Sequence, residues 1–180
     1  MSTVASLLLV VVVMNPARVR LRLGSRSSAV RVKAAREGAL LTCACVIGLA
    51  AASGPLLDAF EVAPETFQIA AAMVIIAAGI VTFALPPRRS ESLASARAAF
   101  VPVAYPILLS PAVVLLTISI GSTQGVLFAF GCLVTSLVLV IGAARPQRIG
   151  PGMWAAAARL TSAASVVLSV ALLIDGLRTI

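Results

Sequence analysis

From Val101 to Val114 the chain reads Val-Pro-Val-Ala-Tyr-Pro-Ile-Leu-Leu-Ser-Pro-Ala-Val-Val, an apolar run holding Pro102, Pro106 and Pro111 with Ser110 at the last break. Each proline removes an N–H donor and frees a carbonyl about one turn earlier. In hydrocarbon those groups need a neighbouring helix or a water-lined cavity. The chemistry this pattern predicts is binding. The Ser110 hydroxyl and carbonyls freed at Pro106 and Ile107 could take an ammonium or a hydroxyl. The N–H groups opening the half-helix after Pro111 favour a carboxylate. Together they suit a zwitterion. The plainer alternative is a proline kink in which Ser110 bonds the preceding turn.

Asn15-Pro16 is a second break of the same kind. Asn15 and the carbonyls around it either contact a solute or satisfy a neighbouring helix, as polar residues in membrane bundles do. Gln68, early in another apolar stretch, can bridge helices or donate to a solute. Thr117, Ser119, Thr135, Ser136, Ser162, Ser165 and Ser169 read as interhelical packing residues. Cys43, Cys45 and Cys132 have neither metal-site nor disulfide spacing and read as small apolar helix residues. Arg159 and Asp175 fall near the ends of the last apolar run, where Arg159 can snorkel and Asp175 can pair with Arg178.

What is missing narrows the chemistry. The chain has no histidine, and no Asp or Glu lies in the middle of an apolar run. Proteolysis or metal chemistry in the membrane needs carboxylates, histidines or a nucleophile with its base. The reading is therefore no enzyme, no cofactor and no metal. A proton-coupled carrier usually holds an ionisable group mid-membrane, so any coupling would rest on neutral oxygens and carbonyls.

The elements that must position these residues follow from composition. The chain is 61% hydrophobic and 11% charged, with a mean hydropathy of +1.11. Its charges cluster between apolar runs of about 20 residues, the length that crosses a bilayer core. Six spans are predicted, at about 3–22, 36–57, 65–85, 101–121, 124–144 and 153–175. Span one is interrupted at Asn15-Pro16, span two ends near Gly54-Pro55 and span three closes at Pro86-Pro87. The net charge of +8 does not point to nucleic acid, because the basic residues lie between spans, where orientation signals belong. No cleavable signal is predicted at the N-terminus, since arginines follow the first apolar run and none precedes it.

The connections alternate in charge. Arg18, Arg20, Arg22, Arg26, Arg31, Lys33 and Arg36 surround the first, whereas the second has only Asp58, Glu61 and Glu65. Arg88, Arg89 and Arg97 follow span three, no charge follows span four, and Arg145, Arg148 and Arg159 follow span five. Positive loops face the cytoplasm, so all five predict one topology with both termini outside. The Arg18, Arg20, Arg22 alternation predicts that span one ends soon after Pro16, with the basic loop on anionic lipid.

Three spans, a basic linker and three more spans suggest a duplication. An odd number of spans per half inverts the halves, and paired interruptions at matching places point to a midplane site. The expected domains are about 1–87 and about 101–180, joined by a linker at about 88–100. The fold class is an all-α membrane protein of two inverted three-helix repeats, with helices one and four broken by proline.

These residues resemble the MarC-type family of six-span bacterial inner-membrane proteins, over nearly the whole chain. Asn15-Pro16 is similar to the family's Asn/Asp-Pro in span one. Phe67 to Met73 resembles its span-three motif, an aromatic followed by a polar residue and Ile-Ala-Gly-Gly. Pro102 to Ala112 resembles Pro-x-Ala-x-Pro-Leu-Leu-x-Gly-Pro-Gly of span four. Arg159-Leu160 with Asp175-Gly176-Leu177 resembles the opening and close of span six. The resemblance implies an inverted-repeat protein grouped with LysE-type amino-acid exporters, in a bacterial plasma membrane. Where the family has glycines, this chain has Arg18, Ala71, Ala72, Ser110, Ala112 and Ser162. Ala171 stands where relatives often carry Gln. Losing glycines should narrow a cavity or stiffen a break.

The expected function is transport or export of a small solute, with small neutral amino acids as the candidates. Asn15, Pro16, Gln68, Pro106, Ser110 and Pro111 would contact it. The expected partners are membrane lipid and that solute, with a homodimer left open. The rival reading is a non-transporting membrane interaction protein that keeps the fold; a channel is a lesser third, since no charged ring is visible.

Overall fold

The structure, a computed structural model, describes residues 2–23, 28–85, 108–145 and 150–179. Among these residues it is helical with no strand. The helices are α1 (Thr3–Met14), α2 (Pro16–Leu23), α3 (Ser28–Ala51), α4 (Ser53–Ala59), α5 (Pro64–Ala84), α6 (Pro111–Gln124), α7 (Val126–Ala144) and α8 (Pro151–Arg178). Five segments are long and apolar enough to cross a membrane: Thr3–Leu23, Ala29–Ala51, Pro64–Ala84, Val126–Ala144 and Pro151–Arg178. The chain is a multi-pass, all-helical membrane protein. Large apolar side chains such as Leu127, Leu160 and Val167 lie exposed on its outside, as a lipid-facing surface requires.

The predicted fourth span is described only from Leu108 onward, and its helix α6 is apolar but 14 residues long. Pro102, Pro106, the carbonyls of Pro106 and Ile107, and the linker at 88–100 lie outside the described residues.

Three boundaries differ from expectation. Span one does not end soon after Pro16: α2 carries Arg18, Arg20 and Arg22 as helix to Leu23. Arginine is a good helix former, and Pro16 at the first helical position starts rather than stops a helix. Likewise α3 begins at Ser28, so Arg31, Lys33 and Arg36 are helical rather than loop. Lys33 and Glu37 pair at 3.9 Å across one turn, and Arg31 Nε reaches the Ala144 carbonyl at 3.5 Å. Nor does the chain stop at Gly54-Pro55. Pro55 falls in the first turn of α4, where its missing N–H is no loss.

The packing is an exchange between the halves. Helix α5 packs most extensively on α8, and α3 on α7. Helices α1 and α2 lie against α7 and α8, while α6 lies against α3 and α5. Within the first half, α1, α3 and α5 barely touch; in the second, α6 also contacts α7. Three of the cross-half pairs, α5 with α8, α3 with α7 and α1 with α6, run antiparallel. Gln68 bonds Leu172 while Thr82 meets Ser162; Arg31 reaches Ala144 while Val46 and Leu133 line one cavity; Ser6 meets Gln124 while Met14 packs with Val113.

Glycine makes two of these approaches close. A Cβ at Gly79 of α5 would stand 2.6 Å from Val166 Cγ2 and 2.9 Å from Ser165 Oγ of α8. One at Gly121 of α6 would stand 3.0 Å from the Ala50 Cα and carbonyl oxygen of α3. Between α6 and α7 the link is Gly125 alone, at φ +88°, a conformation that costs glycine little.

The pairings also sort charge. One end gathers α2, the start of α3 and the end of α7, with Arg18, Arg20, Arg22, Arg31, Lys33, Arg36 and Arg145. The opposite end gathers α4, the start of α5 and the end of α8, with Asp58, Glu61, Glu65 and Asp175.

Candidate functional site

Asn15 sits between α1 and α2 in the left-handed region, at φ 45° and ψ 73°. A residue before proline is steered away from the right-handed helical region, and Asn tolerates the left-handed one better than most. Its backbone N–H donates to Val11 at 3.2 Å and closes α1. Its side-chain Oδ1 accepts from the Arg18 N–H at 3.1 Å and caps α2. Its Nδ2 donates to the Ala158 carbonyl at 3.0 Å and to Ser162 Oγ at 3.1 Å, both on α8. The residue is 6% exposed. One side chain thus ends one helix segment, starts the next and ties both to α8.

Ser110 does the same local work for α6. It is extended, at φ −66° and ψ 153°, with Pro111 at the first helical position. Its Oγ accepts from the Val113 N–H at 3.3 Å, so it caps the following turn rather than bonding the preceding one. That cap occupies one first-turn donor, and Pro111 supplies none, which weakens the case for a carboxylate there.

The residues flanking the two breaks converge on a cavity of about 10 Å³. Val10 and Met14 of α1 line it with Val113, Leu116 and Thr117 of α6, closed by Val46 of α3 and Leu133 of α7. A water needs about 10–15 Å³ and two or more polar partners. Here the polar lining group, Thr117 Oγ1, already donates to the Val113 carbonyl at 2.8 Å. The space between the breaks is therefore small and apolar, with little to hold a water.

Beside it runs a polar seam between α5 and α8. Ser162 Oγ donates to the Ala158 carbonyl at 2.9 Å, accepts from Asn15, and lies 3.0 Å from Thr82 Oγ1. Ser165 and Ser169 donate to carbonyls one turn back, at 2.7 Å each. Gln68 is buried and donates from Nε2 to the Leu172 carbonyl at 3.0 Å, with Asp175 Oδ2 at 3.4 Å. Ten residues of α8 separate its contact from that of Asn15, about 15 Å at the rise of a helix.

The cavity is lined by neighbours of the two breaks, Met14 and Val113, and not by Asn15, Pro16, Ser110 or Pro111 themselves; Gln68 lies apart, near the acidic end. Sequence reasoning missed Thr82, which reaches Ser162, and Gln124, whose Nε2 donates to Ser6 Oγ at 2.8 Å across α1 and α6. For Thr82 the signal was a lone polar residue in an apolar stretch; Gln124 gave none of that kind, since it closes the polar run Ser122-Thr123-Gln124. No family model, no curated protein and no solved structure matches the chain.

Proposed function

We propose that this chain is a small-solute transporter of the MarC type, whose two inverted three-helix halves rock about the Asn15-Pro16 and Ser110-Pro111 breaks. The observation that carries the reading is the exchange of packing partners. Replace α1–α2 by α6, α3 by α7 and α5 by α8, and most of the contacts map onto themselves, with every corresponding pair antiparallel. A two-fold axis in the membrane plane has this consequence, and inverted repeats of this kind commonly hold their site at the axis. The matched capping of Arg18 by Asn15 and of Val113 by Ser110 supports the same correspondence.

In this reading the small cavity between the breaks is the occluded core. It opens to one face when α1–α2 and α6 slide against their partners. Its lining favours a small, neutral solute, and small neutral amino acids are the first class to test. Asn15, Ser110 and the two prolines shape the passage, whereas Gln68 bridges α5 and α8. The gathering of cations at one end agrees with a bacterial plasma-membrane protein whose termini face outside.

One observation favours the rival, a non-transporting membrane interaction protein: the polar groups at both breaks already have partners within the bundle. Counterflow in proteoliposomes separates the two. A mixed pool of small neutral amino acids is loaded, and labelled uptake is followed for the native chain, Ser110→Ala and the cavity-filling Ala129→Leu. Uptake by the native chain that Ala129→Leu abolishes, with helicity intact, is the expected outcome. No uptake above empty liposomes for any member of the pool would remove the amino-acid assignment and favour the rival.

A further inference from the structure

Two buried nitrogens at the basic end lack an acceptor. Arg22 Nε on α2 and Trp154 Nε1 on α8 are shielded from solvent, with no hydrogen-bond partner among the described residues. Indole N–H and guanidinium N–H can only donate, and a buried donor left unmade is costly. Their helices pack together, and the Asn15 bond to Ala158 fixes their register. Arg22 lies about two turns past that bond along α2, and Trp154 about one turn before it along α8, each toward the basic end.

The missing acceptor is not a carboxylate of the described chain. Asp58, Glu61, Glu65 and Asp175 belong to the opposite end, and Glu37 faces Lys33. Arg18, one turn before Arg22, is also half-buried and adds to the unbalanced positive charge. Among the described residues no carboxylate answers it, and an anion from outside the chain is the partner that would both accept these N–H groups and offset the charge. This end of a membrane bundle meets the headgroup layer, where Trp and Arg sit and phosphate is the abundant anion. Phosphate oxygens match the fork of a guanidinium and accept from an indole as well.

We propose that the α2–α8 end binds the phosphate of an anionic phospholipid, which accepts from Arg22 and Trp154 while Arg18 supplies further charge. The site is independent of the transport reading; a chain that carries nothing would bind the lipid equally.

The test uses the full chain in neutral detergent, with melting temperature and lipid retention in native mass spectrometry as readouts. Phosphatidylglycerol, phosphatidylcholine and inorganic phosphate are titrated separately. Phosphatidylglycerol is expected to stabilise and to be retained, and phosphatidylcholine is not. Arg22→Gln should weaken the apparent affinity about tenfold or more, the weight of a hydrogen bond to a charged group. Trp154→Phe, which keeps an aromatic ring and removes only the donor, should weaken it several-fold, and it carries the test if Arg22→Gln fails to fold. Arg178→Gln at the opposite end should change nothing. Equal affinity in Arg22→Gln and Trp154→Phe, or equal stabilisation by phosphatidylcholine, would overturn the proposal. Full stabilisation by inorganic phosphate alone would overturn the lipid as its source.

Discussion

The two proline breaks begin their helices alike and are anchored differently. Asn15 and Ser110 each present an oxygen to the N–H three residues on, at 3.1 and 3.3 Å, with proline at the first helical position between. Ser110 stops there. Asn15 goes on to donate two hydrogen bonds to α8 and holds a left-handed backbone that closes α1. The first break is a junction of three helix segments, and the second is a helix start. If the halves arose by duplication, the amide has become a fixed strut in one copy, while the hydroxyl has left the other freer to bend. A rocking motion would then hinge mainly at Ser110.

The contrast can be broken at several strengths, all read as stability in mixed micelles by denaturant titration followed with circular dichroism. Asn15→Ala should cost the most, about 3 kcal/mol, summing a lost cap, a left-handed alanine and interhelical bonds. A cost below that of Ser110→Ala would dissolve the distinction. Asn15→Gly keeps the backbone conformation free of strain and should cost about 2 kcal/mol, the difference from alanine measuring the left-handed contribution. Ser110→Ala should cost about 1 kcal/mol, the worth of a cap alone. Smallest of all, a double-mutant cycle between Asn15 and Ser162 should return a coupling of about 0.6 kcal/mol. The same cycle between Ser110 and Ser162 should be additive within about 0.3 kcal/mol; coupling there would mean that both breaks share the α8 anchor.

Five of the six predicted spans meet helices long and apolar enough to cross a membrane, and they were legible because length is a one-dimensional signal; the fourth meets only the 14-residue α6. Apolar runs, Asn15-Pro16 and Ser110-Pro111 can be read without knowing any neighbour, since proline acts on its own backbone. The continuation of α2 through three arginines was legible in the length of the first run, about 3–22 against the observed Thr3–Leu23, but not in its charge, which suggests a loop after Pro16 although arginine favours helix. The partners of Gln68, Thr82 and Gln124 were not legible at all. In a water-soluble helix an apolar stripe marks the buried face. Helices such as α1, α5 and α7 are apolar on nearly every side, because lipid and protein interior make the same demand. The buried face is then set by small residues such as Gly79 and Gly121, whose role shows only once the opposing helix is in place.

That nearly every strong contact joins one half to the other bears on how the chain is made. Asn15 emerges from the ribosome 143 residues ahead of Ala158, the α8 residue whose carbonyl it bonds. At about 5–20 residues per second that wait is roughly 7–30 s. Gln68 likewise finds its partner, Leu172, only on α8, whereas Thr82 Oγ1 also has the Gly79 carbonyl of its own helix at 2.9 Å. The side-chain amides of Asn15 and Gln68 therefore enter the bilayer before their α8 acceptors exist, and insertion machinery has to shelter them until α8 arrives. These contacts are completed only when α8 is made, so a translation product interrupted before it should be a quality-control substrate rather than a half-working protein.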